Sequence, residues 1–386
     1  MTMLTTDARP APPDTRDPDT EALLRLAGCS GSKGIRRLLE LAGPAAALAA
    51  GPALWRSCGL TRLQQARLHC PDAALMERGR HWLAAPGRQL LGWHDPDYPP
   101  LLRRGPNPPA VLFVDGDPAL LWRPAVAVVG SRAPSPGGLE TARELAAALA
   151  RAGLVVASGM AAGIDTAAHQ AALAVGGGSY AVLGTGPDVP YPHRNAGLHE
   201  RLVRQGAVVS EHPPGTGPRS SHFPSRNRIL AALGIATVVV EAAQRSGALI
   251  TARLAGECGR EVMAYPGSIR NPAVRGCHRL IRDGAALVEG PGEVLELVAP
   301  VAARLAADLR VRLDAPICGE AGDVAAPAAP APSHNPLWQA LGHDPSSMDQ
   351  LIVRSGLTPT EVSSMLLALE LEGRVAARHG RWYRTG

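Results

Sequence analysis

The chain has 386 residues, 46% of them hydrophobic and 19% charged, a balance that supports packed domains and excludes wholesale disorder. Its net charge of +5, carried by arginine everywhere except Lys33, favours a polyanionic partner, although a GC-rich genome produces the same arginine bias. No stretch of about 20 apolar residues lacks charge or proline, and the Pro- and Asp-rich start lacks an apolar core, which excludes a membrane span and a signal peptide and predicts a cytoplasmic protein.

Residues 1–20 read as a disordered head. From about 21 to 95, Leu23, Leu24, Leu26, Ile35, Leu38, Leu39 and Leu41 recur at helical spacing and predict a small helical domain. Between them, Gly28 to Gly34 form a Gly/Ser turn like that of helix-hairpin-helix modules, whose N–H groups can meet a phosphate. A plain connection between two helices fits the same residues. Cys70 with His69 and His81 is too irregular for a zinc site, so no metal is expected. The six cysteines (Cys29, Cys58, Cys70, Cys258, Cys277, Cys318) read as free thiols.

From about 105 to 298, continuous apolar runs recur at Val126–Val129, Leu154–Ala157, Tyr180–Leu183, Ala207–Val209, Ile235–Val240 and Glu261–Ala264. Each suits a strand buried on both faces, and the roughly 25 residues between most of them suffice for one crossover helix. Glu140–Ala150 and Thr166–Val175 carry such helical patterns. The fold class predicted is α/β, a Rossmann-like doubly wound and mostly parallel sheet. Small and polar residues follow each run, at the carboxyl edge where such sheets bind ligands. Residues 299–336, with Ala326 to Pro332 alternating Ala and Pro, read as a linker. The tail, 337–386, offers helical segments at Leu337–Leu341, Met348–Arg354 and Thr360–Glu372. A hairpin of Arg374–Ala377 with Arg381–Arg384 around His379-Gly380 completes a winged-helix domain.

Gly130-Ser131-Arg132 ends the first run, where a nest of N–H groups and a forked guanidinium can hold phosphate; a capped turn with an incidental arginine is the plainer reading. Asp165 and His169 suit a helix cap and a structural hydrogen bond better than a catalytic pair, since no nucleophile accompanies them. After the loop Pro213–His222, Phe223 to Arg228 lead into a helix at Ile229–Leu233. Phe223 offers a stacking face beside two arginines and Asn227, a combination that suits unpaired bases. The alternatives are anchoring of the loop by Phe223 and bracing of neighbouring loops by Asn227 and an arginine. Neither a Walker A loop nor GxGxxG after the first strand is present, so no nucleotide cofactor is expected.

Taken together, these motifs resemble the DNA-processing protein A (DprA, or Smf) family. The likeness rests on Val129 to Arg132, Ser158-Gly159 through Asp165 and His169, and Leu183 to Gly186 with Asp188, Tyr191-Pro192 and Asn195. It continues through Ser210-Glu211, Phe223 to Arg228, Val240 to Ala242, Ser246 to Ala252, Gly259 to Val262 and Pro266-Gly267. The resemblance implies a non-enzymatic recombination mediator with no catalytic residues and no cofactor. Such a protein binds and protects incoming single-stranded DNA in natural transformation and promotes loading of the RecA recombinase past single-strand-binding protein, working as a homodimer. It further implies a sterile-alpha-motif-like (SAM-like) N-terminal domain and a winged helix open to duplex DNA. The expected DNA-binding set is Gly130, Ser131, Arg132, Ser158, Gly159, Gly186, Arg219, Phe223, Arg226, Asn227, Arg228, Ser246 and Gly247. The expected dimer face holds His278, Leu280 and Ile281. Two departures stand out. Arg219 is separated from Phe223 by Ser220, Ser221 and His222, and Gly276-Cys277-His278 replaces the common Gly-Cys-Asn. The rival reading is a nucleotide phosphoribohydrolase on a related fold, gripping phosphate with a PGGxGT loop. Here Pro136-Gly137-Gly138 follows the wrong strand for that, and Ser246 to Thr251 is the nearest loop.

Overall fold

Runs of valine and alanine with every residue buried become the interior of one twisted sheet. In this computed structural model the described residues are 13–14, 17–29, 31, 33–314, 341, 346–358, 362, 366, 375–378 and 381–384. The helical head comprises α1 (Pro18–Ala27), α2 (Lys33–Leu41), α3 (Pro44–Ala49), α4 (Gly51–Ser57), α5 (Arg62–His69) and α6 (Ala73–Leu83). It is followed by β1 (Arg88–Gly92), α7 (Pro100–Arg103), β2 (Val111–Gly116), β3 (Ala125–Val129), α8 (Pro136–Arg151), β4 (Val155–Ser158), α9 (Ile164–Ala174), β5 (Ser179–Leu183), α10 (Ala196–Gln205) and β6 (Ala207–Ser210). Then come α11 (His222–Leu233), β7 (Ala236–Val239), α12 (Gly247–Glu257), β8 (Glu261–Ala264), α13 (Arg275–Arg282), β9 (Ala286–Leu287) and α14 (Pro291–Asp314).

Among the described residues the sheet has nine strands in the order β1-β2-β6-β5-β4-β3-β7-β8-β9. The seven from β6 to β9 are parallel, while β2 is antiparallel to both β1 and β6. Strand side chains alternate between faces, and the two cores divide accordingly. Ala125, Ala127 and Val129 pack under α11, α12 and α13. Val126 and Val128 pack under α8, α9 and α14. The doubly wound fold and all six expected strands are present.

The boundaries need correction. The strand β1 lies inside the stretch expected to be purely helical, and β1 and β2 were not foreseen. α1 begins at Pro18, inside the stretch expected to be the head, capped by the Asp17 carboxylate accepting from the Thr20 N–H at 2.9 Å. The head also shares its core with the sheet: Val111 joins Leu26, Leu38 and Trp55, and Phe113 packs edge-on to Trp82 at 5.7 Å. α14 runs to Asp314, well into the stretch read as linker. The rest of that stretch, residues 315–336, lies outside the described residues.

A second compact unit spans Ile317–Gly386. Helix Met348–Ser355 agrees with expectation, and β10 (Ser346–Ser347), β12 (Arg381–Arg384) and β11 (Val375–Arg378) form a small antiparallel sheet in that order. Leu341, Leu351, Val362, Leu366 and Val375 form its core, with Trp382 packed against them. Helix and wing are those of a winged-helix domain. The expected helix at Leu337–Leu341 lies outside the described residues except Leu341. That at Thr360–Glu372 does so except Val362 and Leu366, and the turn His379-Gly380 does so entirely.

Candidate functional site

The chain leaves β3 toward β4 on one side and leaves β7 toward β8 on the other, so the loops after these adjacent strands diverge and open a crevice. That crevice is a cleft of about 820 Å³ lined by Gly130, Ser131, Arg132, Tyr191, Phe223, Arg245, Ser246 and Gly247 among others. Gly130 is required for it. A Cβ there would lie 2.7 Å from Ile164 Cγ1 and 2.9 Å from the Glu241 carbonyl oxygen, forcing the two strand ends apart. Ser131 anchors the turn, its carbonyl accepting from the Ile164 N–H at 3.1 Å and its hydroxyl oxygen from the Ala133 N–H at 3.2 Å. Arg132 is left exposed at the mouth.

Helix amino ends attract anions, but the protein itself fills that of α8. At α8 the buried Glu241 carboxylate accepts from the Ser135 N–H at 3.1 Å and from its hydroxyl at 2.5 Å. Before α9 the Asp165 carboxyl accepts from the N–H groups of Gly159 (3.1 Å) and Ala161 (3.3 Å). Burial pushes Asp165 upward in pKa against the opposing pull of Arg226. α12 has no acid in its first turn and carries a neutral cap, Ser246 Oγ accepting from the Ala248 N–H at 3.3 Å, with Gly247 exposed beside it. Arg245, also exposed, precedes that cap. The unfilled positive end and two exposed guanidiniums therefore share one cleft.

Phe223 supplies the other chemistry. Its half-buried ring stands 5.1 Å from that of Tyr191, tilted by 38°, and Tyr191 is 42% exposed. Phe223 sits in the first turn of α11, which starts at His222 rather than at the expected Ile229.

Several expected contacts have other duties. Ser158 is fully buried, its hydroxyl donating to the Val128 carbonyl at 2.7 Å. Arg226 lies in the floor: Nη1 donates to the carbonyls of Gly159 (2.7 Å) and Val182, and Nε donates to Asn227 Oδ1 at 2.9 Å. A Cβ on Gly159 would come within 2.0 Å of that guanidinium, so this glycine makes room for an arginine. Gly186 lies off the cleft, its N–H donating to the Thr216 carbonyl at 2.8 Å, with no room for a Cβ against Pro213. Arg219 and Arg228 face the other side of α11, where Arg228 pairs with Glu211 at 2.5 Å. Asn227 lines the cleft while bracing α12 through the Gly247 carbonyl at 3.4 Å. Arg132, Phe223, Ser246 and Gly247 are thus brought together, and Arg245 and Tyr191 join them unforeseen. An arginine directly before the Ser-Gly cap was the available signal for the first.

His169 is buried. Ser179 donates its hydroxyl proton to the Val156 carbonyl, so the 2.8 Å contact between His169 Nδ1 and Ser179 Oγ places the ring proton on Nδ1. Burial, with Arg226 nearby, lowers its pKa to about 3, and the ring is a neutral structural group. His278 Nε2 contacts the Gly267 carbonyl at 3.0 Å, and Leu280 and Ile281 are half-buried against the main core. Among the described residues no group of three His, Cys, Asp or Glu could hold a metal, and no helix is long and apolar enough to cross a membrane.

The family model described as DNA recombination-mediator protein A matches residues 89–299, and that of the DprA winged helix domain matches 321–381. Protein Smf of Escherichia coli is 41% identical over 331 residues, covering 84% of this chain and 85% of its own. DNA processing protein DprA of Streptococcus pneumoniae is 49% identical over 187 residues, 48% of this chain and 66% of its own. The X-ray structure of DprA from that organism superposes with a TM-score of 0.63 at 37% identity, covering 72% of this chain and 97% of the other. A Helicobacter pylori DNA processing protein A structure, described for its single-stranded DNA binding mode, gives 0.50 at 26% identity, with 55% and 96% covered.

Proposed function

The chain belongs to the DNA recombination-mediator protein A family and is a DNA-processing recombination mediator, and on that premise we propose that its switch-point cleft holds single-stranded DNA. The observation that carries this reading is the cleft's pairing of two exposed arginines and the unfilled end of α12 with the half-open ring of Phe223. Arginine forks and N–H groups suit phosphate oxygens, and a π-face suits any unpaired base. The Helicobacter pylori relative is described as binding the same class of ligand.

In this reading the protein works in the cytoplasm as a homodimer. It protects incoming strands in natural transformation and helps RecA load past single-strand-binding protein, without catalysing a reaction. The filling of α8's amino end by Glu241 speaks against a hydrolase that would seat a phosphate at Pro136-Gly137-Gly138. Binding of labelled oligo-dT and of blunt duplex across a salt series tests the ligand. Affinity for oligo-dT falls with a slope of about 0.7 log units per phosphate contact, and duplex binds residues 1–316 more weakly. Equal affinity for the two forms rules out the stacking cleft.

A further inference from the structure

A second cavity, of about 880 Å³, lies on the far side of α11, between the helical head and the sheet. The two spaces share a wall. His222, Ser225 and Arg228, three residues apart along α11, line the second cavity, while Phe223, Arg226, Asn227 and Leu230 line the switch-point cleft. The preceding loop alternates likewise, with Gly217 and Arg219 facing one side and Pro218 and Ser220 the other. A helix is about 10–12 Å across with its side chains, so little separates the two.

The lining of this second cavity is basic beyond its own needs. Both acids that reach it are engaged. Asp72 caps α6 through the Ala74 and Leu75 N–H groups at 2.9 and 3.1 Å, and Glu211 pairs with Arg228. Arg25, Arg78 and Arg219 remain around the same space, and Arg67, which donates to the Gly28 carbonyl at 3.4 Å, adds its charge to them. Among the described residues two buried guanidinium nitrogens there, Arg25 Nε and Arg228 Nη1, lack a hydrogen-bond partner, as does His212 Nε2. Buried donors left unmade are costly and mark a place where an acceptor belongs. An extended polyanion supplies many acceptors and neutralises the arginines together.

We propose that this head–sheet cavity is a second phosphate-binding site, which takes the continuation of the same single strand beyond the stretch held at the switch point. The inference rests on the cleft reading above, and its test separates the two. Oligo-dT of about 6 nucleotides and of about 30 are compared by binding across a salt series. The Arg67→Ala/Arg78→Ala protein, altered only at exposed positions, and the Arg25→Ala protein bind the short oligomer like the parent. On the long one they lose about fivefold to tenfold in affinity, with a shallower salt slope. Parent-like affinity and slope on the long oligomer overturn the second site while leaving the first intact. A parent-like Arg132→Ala protein on the short oligomer overturns the cleft instead. Melting curves establish that each variant is folded.

Discussion

In the proposed cleft Arg132 and Phe223 would hold a strand by different physics, and their variants separate the two. Arg132→Ala weakens binding to every sequence and flattens the salt slope by about one contact. Phe223→Ala weakens it by about 1–3 kcal/mol with the slope unchanged. Binding isotherms at several salt concentrations check both; a folded Arg132→Ala protein that binds oligo-dT like the parent removes the cleft from consideration. His169 makes stability depend on acid. Its folded pKa, about 3, lies below the ordinary 6.5, so below pH 6.5 the unfolded chain binds the extra proton. Stability is therefore full above about pH 6.5 and falls as pH drops toward 3, by up to about 1.4 kcal/mol per unit from this residue. Denaturant melts from pH 7 to pH 4 read that decline, and a flat profile contradicts it.

The elements that aim these residues depend on tight backbone junctions. Gly163, at φ +82°, precedes α9, and a Cβ there would stand 2.3 Å from the Ser131 carbonyl oxygen. Gly163→Ala costs about 2 kcal/mol or more and displaces the Gly130–Arg132 turn; thermal melting and oligo-dT affinity fall together, and a loss in neither contradicts the packing. The buried strands β3 to β8 were legible because parallel strands covered on both faces are written as uninterrupted valine and alanine. β1, with Arg88 and Gln89 among its five residues, gives no such run, and β9 has only two residues; β2 does carry one, Val111 to Val114, but it is antiparallel and stands outside the strand–helix repeat that marks the others. Site residues were legible where chemistry is local, as at Arg132 and Phe223. They were not where burial decides the role. The spacing of Arg226 and Arg228 says nothing of which guanidinium sits beneath the floor and which meets Glu211. Nor does the Ser158-Gly159 pair disclose that its space is taken by Arg226.

At the scale of the molecule, the head is part of the sheet's structure. Phe113 and Val111 have little exposure because α1 to α6 cover them, and each such side chain contributes about 1.5–3 kcal/mol by burial. A chain beginning at residue 105 therefore melts lower than residues 1–316, whereas a cut near 330 leaves that larger unit folded; calorimetry on the two fragments decides, and equal melting would contradict the shared core. The far edge of the same sheet carries a different consequence. β9 has only two residues, Ala286 and Leu287, too short a row of free backbone groups to template another strand. A copy adding a strand to β9 would share a ladder of two residues at most, too short to carry a continuous sheet or a fibre. Association at that end would then draw on side chains of helices, where a few substitutions can tune its strength without touching the backbone ladder.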